Sequence, residues 1–308
     1  MKSEFKIILV LLGLLFVMEV GVRVFETSLS KDLAQLRKLS DTAERLKVGD
    51  FYKVLIVGNS LARYGIDREI LAKELERNGY GKVQVEAFHP DATGVMEWNF
   101  GLRRYFLNRE VIPDRVILVT GKTHLFDSRP VPERLGAFYV DRSDIKEAVK
   151  LDLKSVENVV RFFLARFSSL FTNRVRIQPY VFYNYLPKYT QTVQEMHDQR
   201  KKQVGTSASD TRWGTTNLSR LLNSAHLKGI AVSIVGIPMR APYDLPRPII
   251  EEMGGHGVPL LDLSRIEGIN ESNFFDNYHL DEEGARRVTL ELAQELVSLD
   301  RKEKQRVF

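Results

Sequence analysis

Two hydrophobic patterns alternate along most of the chain. Short runs of consecutive apolar residues are typical of buried parallel strands, and apolar residues recurring every three or four positions are typical of amphipathic helices. Runs of this kind, together with more mixed β-rich runs, predict strands over 52–57, 82–88, 115–119, 230–235 and 258–263. The periodic segments predict helices over 67–79, 95–108, 217–228 and 281–299. This alternation predicts an α/β fold with a central parallel sheet of about five strands, covered by helices on both faces. Ligands of such sheets bind at the carboxyl ends of the strands.

The N-terminal segment departs from this alternation. An uncharged apolar run extends from Ile7 to Met18 and continues, past Glu19 and Arg23, to Phe25. That length is close to the roughly 20 residues that a membrane-spanning helix needs. Glu19 and Arg23 are four residues apart, so they share one helix face and can form an ion pair.

Three interpretations of this segment are open: an uncleaved signal anchor, a cleaved signal peptide and a buried core helix. We favour the anchor, because no A-x-A-like cleavage site follows the apolar run. Lys2 and Lys6 favour a cytoplasmic N-terminus. The expected location is therefore the cytoplasmic membrane, with a single-pass anchor and a domain that faces the periplasm or the cell exterior.

The remaining pattern divides the chain into four parts. Apolar residues at helical spacing between Ser30 and Lys47 predict an amphipathic stem helix. We therefore assign an anchor to residues 1–27, a stem to 28–50, an α/β domain to 51–299 and a charged tail to 300–308. The α/β domain contains an insertion at about 129–216, which is mainly helical and much longer than an ordinary connection.

The insertion begins with an apolar stripe between Ser143 and Thr172. We expect this stripe to pack on the core of the protein; covering a substrate groove or docking on a membrane partner are the alternatives. Its members are Ile145, Val149, Leu153, Val156, Val160, Phe163, Phe167 and Leu170. Aromatic residues follow, near a basic stretch, and could stack on sugars, lie at lipid headgroups or simply pack; they are Tyr180, Phe182, Tyr183, Tyr185 and Tyr189, ahead of Arg200-Lys201-Lys202.

Composition excludes several kinds of chemistry. The 308 residues include no cysteine, which rules out thiol catalysis, thiolate metal sites and disulfides. The net charge of +5, from 45 basic and 40 acidic residues, is too small and dispersed for a typical nucleic-acid-binding surface. We therefore expect no nucleic-acid partner.

Two short blocks carry candidate catalytic groups. Gly58-Asn59-Ser60-Leu61 follows the first strand directly, which puts the Ser60 hydroxyl on a turn at the carboxyl edge of the sheet. Asp276-Asn277-Tyr278-His279 precedes the last helix. Asp276 can bond the His279 ring and fix its tautomer, which leaves the other ring nitrogen to accept a proton from a serine. A structural serine turn, a turn-capping aspartate and an ordinary loop histidine are the alternatives.

Together these blocks resemble the motifs of the SGNH, or GDSL, hydrolase family. The resemblance implies a flavodoxin-like three-layer sandwich, a nucleophilic Ser60, a general base His279 and an orienting Asp276. It also implies an oxyanion site formed by the backbone amides of Ser60 and Gly94.

The third block of the family departs from the pattern. It reads Gly121-Lys122-Thr123-His124, with Thr123 in the place of the family's asparagine. The third oxyanion donor is then Thr123, His124 or missing, and Asn59 and His124 are candidates for supporting positions around the site.

The anchor and the ending Tyr278–Gly284 make the chain similar to one membrane-anchored branch, which contains alginate O-acetylation and teichoic-acid D-alanine transfer proteins. This likeness implies acyl transfer to, or removal from, a cell-surface or secreted polysaccharide. It also implies a multispanning membrane-bound O-acyltransferase as a partner.

The functional hypothesis is therefore a serine O-acyltransferase or esterase without a cofactor. The alternative is a catalytically weakened glycan-binding or scaffolding subunit of a membrane complex. No metal site is expected, because Asp276 and His279 are too few ligands and His89, His124 and His256 lie in separate loops. No glycine-rich nucleotide motif begins at Gly58.

Overall fold

The computed structural model describes residues 2–189, 191, 192 and 214–306, which belong to two compact units. The anchor unit comprises Met1–Arg37 and Pro130–Thr211, and the sheet unit comprises Lys38–Arg129 and Arg212–Phe308. The basic stretch Arg200-Lys201-Lys202 lies outside the described residues.

The sheet unit contains five parallel strands in the order β2-β1-β3-β4-β5. They are β1 (Tyr52–Val57), β2 (Val83–Phe88), β3 (Arg115–Thr120), β4 (Ala231–Gly236) and β5 (Leu260–Asp262). Val57 pairs with Phe88 on one side and with Leu118 on the other, so the carboxyl ends of the three neighbouring strands meet at one edge. The predicted α/β fold with a parallel five-stranded sheet is confirmed.

Twelve α-helical segments are found among the described residues. In chain order they are α1 (Lys2–Leu29), α2 (Lys31–Lys47), α3 (Ser60–Gly65), α4 (Arg68–Arg77), α5 (Val95–Tyr105), α6 (Pro132–Arg134), α7 (Ile145–Glu147), α8 (Val156–Phe167), α9 (Ser169–Tyr185), α10 (Thr216–His226), α11 (Arg247–Gly255) and α12 (Glu282–Arg306). The short helices α3 and α11 were not predicted from the sequence, because neither is long enough to show a clear apolar period.

The core of the sheet unit forms on the two faces of the sheet. Val54, Ile56 and Ile117 are essentially fully buried and pack with apolar residues of the C-terminal helix α12. These strands are continuous apolar runs because both of their faces are covered. The core therefore fixes the edge of the sheet where the polar blocks follow β1 and β3.

A buried charge pair attaches the end of α12 to the first residue of β3. Arg115 donates to Asp300 at 2.5 Å, and Arg115 also donates to Tyr52 and Ser233. Tyr80 donates to the other oxygen of Asp300. α12 continues to Arg306, beyond the end predicted at Leu299, and these contacts hold Asp300 within that extension.

The anchor unit begins with one long apolar helix. Within α1, residues Glu4–Leu29 have a mean hydropathy of 2.5, and no residue in the most apolar stretch of this segment is buried within the protein. The helix is long and apolar enough to cross a membrane, as the sequence predicted.

The expected packing of the insertion stripe is wrong for its central part. The stripe is broken at Lys154, which has φ 43°, and again at Ser168, which caps α9. On α8 the stripe residues Val156 and Val160 and the terminal Phe167 are exposed, while Phe162 is buried instead. A spacing of three or four residues shows that a helix has an apolar face but does not say what covers it.

Removal of the buried carboxylate should destabilise the sheet unit. Asp300→Ala leaves Arg115, whose side chain is 6% exposed, without its counter-charge. We expect the free energy of unfolding to fall by about 2–3 kcal/mol, measured by equilibrium denaturation. The control is Arg301→Ala, which changes the exposed neighbouring side chain and should alter stability by less than about 0.5 kcal/mol. Equal effects of the two variants would contradict the role of Asp300.

Candidate active site

Ser60 is held at the carboxyl end of β1 by the turn that starts α3. Asn59 is buried and caps α3, because its side-chain oxygen accepts the Leu61 N–H at 3.0 Å. Ser60 is the first residue of α3, so its backbone N–H has no acceptor within the helix. A side chain at Gly58 would bring a Cβ within 2.6 Å of the Ala62 Cβ. The strand can therefore turn into α3 here only with glycine at position 58.

The structure brings the three predicted catalytic side chains together. The His279 Nε2 atom is 2.9 Å from the Ser60 Oγ, and the His279 Nδ1 atom is 2.7 Å from an oxygen of Asp276. An ionised carboxylate only accepts hydrogen bonds, so the neutral ring carries its hydrogen on Nδ1. Nε2 is then left to accept the hydrogen of the Ser60 hydroxyl.

Local hydrogen bonds hold Asp276 in its charged form. Its Oδ1 atom accepts the backbone N–H groups of Tyr278 and His279 at 2.7 and 2.8 Å. The hydrogen bond from the His279 side chain, helped by these amides, lowers the pKa of Asp276 to about 2. Because the pKa falls on folding, the carboxylate's contribution to stability is lost only as the pH drops toward about 2. Asp276 is therefore an acceptor throughout the neutral range.

A small loop places Asp276 and His279 opposite Ser60. Phe274 and Leu280 form an isolated antiparallel bridge, and the Phe275 N–H donates to the His279 carbonyl at 3.1 Å. These contacts close the loop just ahead of α12. The loop thus holds Asp276 and His279 near each other by bonds within its own backbone.

Two aromatic rings that the sequence analysis missed enclose the His279 imidazole. Phe275 stacks on it with a ring-centroid distance of 5.6 Å, and Tyr64 contacts it edge-on at 5.0 Å. Both rings are also partly exposed. A signal was present in the sequence, since Tyr64 follows Ser60 by one helical turn and Phe275 adjoins Asp276.

The structure places Gly94 close to the other blocks but uses its amide elsewhere. Asn59 donates to the Thr93 carbonyl at 3.0 Å, which joins the first block to the segment before α5. The Gly94 N–H donates to a carboxylate oxygen of buried Glu97 at 3.2 Å, as the capping box of α5. Gly94 was expected to offer this N–H to an oxyanion. The Gly94 N–H can bind an oxyanion only if its hydrogen bond to Glu97 is broken or shared.

The structure gives the two candidate donors of the third block, Thr123 and His124, different surroundings. The side chain of Thr123 is exposed. The His124 carbonyl accepts the Val95 N–H at 2.9 Å, which places this block beside Gly94. His124 Nδ1 accepts the Gly121 N–H at 3.3 Å. A neutral His124 ring therefore carries its hydrogen on Nε2, and burial lowers the pKa of His124, which favours this neutral form.

A cleft of about 840 Å³ lies beside the histidine. Tyr64 and Phe275 form the end that adjoins His279, and the first turns of α4 and α12 line the rest. Its other lining residues are Arg63, Ile66, Asp67, Arg68, Glu69, Ile70, Leu280, Asp281, Glu282, Ala285 and Arg286. The cleft is therefore broad and carries charges of both signs.

A second serine–histidine contact lacks the geometry of a relay. Ser219 Oγ lies 3.2 Å from His256 Nε2, and Glu252 approaches the same nitrogen at 3.1 Å. One ring nitrogen cannot accept a hydrogen from serine and donate one to glutamate at the same time.

Within the described part of the chain, no group of three or more His, Asp or Glu side chains could hold a metal ion.

No protein-family model matches this sequence, and no curated protein matches it either. Several solved structures are similar. One titled TesA has a TM-score of 0.39 and 13% identity, covering 79% of this chain and 98% of that one. A protein from Desulfitobacterium hafniense DCB-2, described as lipolytic and of the G-D-S-L family, has a TM-score of 0.36 and 12% identity over 79% of this chain and 98% of its own. The lipase Lip_vut3 from a goat rumen metagenome has a TM-score of 0.36 and 10% identity over 79% and 96%.

The geometry predicts that Ser60 is the serine that reacts with a fluorophosphonate probe. Among the serines that the structure describes, only Ser60 faces a histidine whose other nitrogen is held by a carboxylate. Ser60→Ala should abolish labelling of the full chain, measured by fluorescence in gels and by peptide mass spectrometry. Ser219→Ala is the matched control and should be labelled like the wild type. Labelling that persists in Ser60→Ala would exclude Ser60 as the nucleophile.

Proposed function

We propose that the protein is a membrane-anchored, SGNH-type serine acyl-transfer enzyme that acts on a cell-surface or secreted polysaccharide. The observation that carries this proposal is the unbroken chain of hydrogen bonds from Ser60 through His279 to Asp276. This arrangement supplies a nucleophile, a base and an orienting carboxylate.

The proposed reaction proceeds in two halves. Ser60 Oγ attacks the ester carbonyl while His279 Nε2 takes the hydroxyl proton. The tetrahedral intermediate collapses, the bond to the leaving alcohol breaks, and His279 returns the proton to that alcohol. A sugar hydroxyl or water then attacks the acyl-Ser60 ester, gives its proton to His279 and releases the acyl product. Ser60 recovers its proton from His279.

The proposed oxyanion donors are the Ser60 backbone N–H and the His124 ring. The Ser60 N–H has no intrahelical acceptor, and His124 keeps a hydrogen on Nε2 because Nδ1 is occupied. We favour His124 over Thr123, because His124 is held by Gly121 within its own block and by Val95 beside Gly94, whereas the side chain of Thr123 is exposed. Gly94 can contribute only where its N–H is released from Glu97.

This assignment predicts a difference between two adjacent substitutions. His124→Ala should lower kcat for a chromogenic acetyl ester by roughly 10²–10³-fold, since one oxyanion donor is lost. Thr123→Ala should leave kcat within about threefold of the wild type. Steady-state kinetics measures both. The reverse order of effects would assign the donor to Thr123.

The shape of the cleft supports a polysaccharide as the second substrate. Sugars present hydroxyls and flat apolar faces, which suit a broad cleft that combines charged groups with exposed rings. Tyr64 and Phe275 adjoin the imidazole, so a sugar stacked there would bring a hydroxyl toward the acyl-Ser60 carbon. Acceptance of a sugar hydroxyl makes the enzyme a transferase, and acceptance of water makes it an esterase.

The location that we propose rests on α1. An apolar helix of this length near the N-terminus, with Lys2 and Lys6 in its first turns, supports an uncleaved anchor in the cytoplasmic membrane with the domain outside. A multispanning membrane-bound O-acyltransferase is the partner that would deliver the acyl group to such a domain.

A second candidate function is a glycan-binding or scaffolding subunit without catalysis. The bond between Gly94 and Glu97 favours it, because one expected oxyanion donor is engaged. This candidate predicts polysaccharide binding without turnover of any ester. The same assay therefore separates the two functions.

The test uses the full chain in detergent or nanodiscs. The wild type should cleave a chromogenic acetyl ester, and added deacetylated polysaccharide should capture part of the acetyl group. Ser60→Ala should lose at least roughly 10³-fold of the activity, and Ser219→Ala should keep it. Turnover by Ser60→Ala at the wild-type rate would overturn the proposed mechanism. Polysaccharide binding without turnover would support the scaffold.

A further inference from the structure

The turn between α8 and α9 encloses the charged pair of the apolar helix. Glu19 accepts hydrogen bonds from the Ser168 hydroxyl and from the backbone N–H groups of Ser169 and Leu170, at 2.7–3.0 Å. Arg23 donates to Glu19 and to the Phe167 carbonyl, both at 2.7 Å. Charges within a membrane span are costly unless they are partnered, and here the partners come from the insertion.

This turn also leaves few of its own backbone groups unsatisfied. The Ser168 N–H donates to the Leu164 carbonyl, and the Phe171 N–H donates to the Ser168 hydroxyl. With the bonds to Glu19 and Arg23, the polar groups at the junction of α8 and α9 have partners within the protein. Irregular backbone is tolerated at membrane depth only under this condition.

The outward surface of α8 is apolar along its whole length. Val156, Val160, Leu164 and Phe167 are 82%, 50%, 47% and 72% exposed, at the spacing of one helix face. Two charged residues of α8 bond to the protein: Arg161 pairs with Glu133, and Arg166 donates to the Val140 carbonyl. The third, Glu157, is exposed in the first turn of α8, at the end away from Phe167. Water is a poor environment for such an apolar face.

We propose that the hairpin of α8 and α9 dips into the lipid bilayer beside α1, with Phe167 at its deepest point and the exposed face of α8 in contact with acyl chains. This inference rests on the membrane anchoring in the proposed function. In this proposal the outer part of a lipid bilayer covers the exposed apolar face of α8. Continuity with the apolar helix supports this choice over a second protein.

The lengths of the elements fit this placement. Glu19 lies ten residues before the end of α1, which is about 15 Å along its axis and close to half of the hydrocarbon thickness. From that level α9 runs toward Asp32, which interacts electrostatically with Arg176. The twelve residues of α8 span about 18 Å. Exposed Lys150 and Lys154 precede α8 and so lie at the end away from Phe167, where lipid headgroups would be.

The absence of cysteine allows a direct test with single-cysteine variants of the full chain. We would place an environment-sensitive fluorophore at Phe167→Cys, Leu164→Cys, Phe16→Cys or Leu227→Cys. Each protein would be reconstituted in phosphatidylcholine–phosphatidylglycerol vesicles, with or without lipids that carry a nitroxide on the acyl chain. Phe16 reports on the anchor, and Leu227 is the matched exposed control in the sheet unit, at 83% exposure.

The proposal predicts strong quenching at positions 16, 164 and 167 and several-fold weaker quenching at 227. Quenching at 16 with none at 164 and 167 would overturn the inference and leave the anchor intact. Absence of quenching at 16 as well would overturn the anchoring in the proposed function. A blue-shifted fluorophore at 167 without lipid quenching would assign the face to a second copy of the chain, against the proposal.

A further variant tests the part played by Glu19. Glu19→Leu keeps α1 apolar but removes the acceptor of three hydrogen bonds from the hairpin. Quenching at 167 should fall, and quenching at 16 should stay. Unchanged quenching at 167 would contradict the role assigned to Glu19.

Discussion

The candidate site depends on one hydrogen bond, between the His279 imidazole and the Ser60 hydroxyl, which joins residues 219 positions apart in the chain. Neither side chain can form it alone. The turn after β1 must present the serine, and the loop before α12 must present the histidine with its other nitrogen held by Asp276. The parallel sheet brings the two side chains close, because α12 packs with the core residues of β1 and β3.

Much of this arrangement could be predicted from the sequence. Continuous apolar runs identified β1 and β3, because strands covered on both faces cannot alternate with polar residues. More mixed β-rich runs identified the other three strands. The likeness of the Gly58–Leu61 and Asp276–His279 blocks to the motifs of one hydrolase family then predicted that Ser60 and His279 lie together. The role of each residue in catalysis stays a proposal.

Other features depend on three-dimensional contacts that no local pattern contains. The apolar spacing on α8 was correct, but the exposure of Val156 and Phe167 depends on what lies outside that face. The engagement of the Gly94 amide depends on the direction of the Glu97 side chain, three residues later. Asp300, in the extension of α12 past Leu299, is held by Arg115, a residue of a distant strand. Tyr64 and Phe275 are near Ser60 and Asp276 in the sequence, but their contacts with the His279 ring depend on how α3 and the histidine loop meet.

The central claim is that Ser60 takes the acyl group from an ester and passes it to a sugar hydroxyl or to water. Peptide mass spectrometry of the full chain, quenched rapidly after mixing with an acetyl ester, tests it most directly. The account predicts that one acetyl group appears on the peptide that contains Ser60 and disappears when a sugar acceptor is added. Ester turnover with the acetyl group on another residue, or with none on Ser60 at any time, would contradict it.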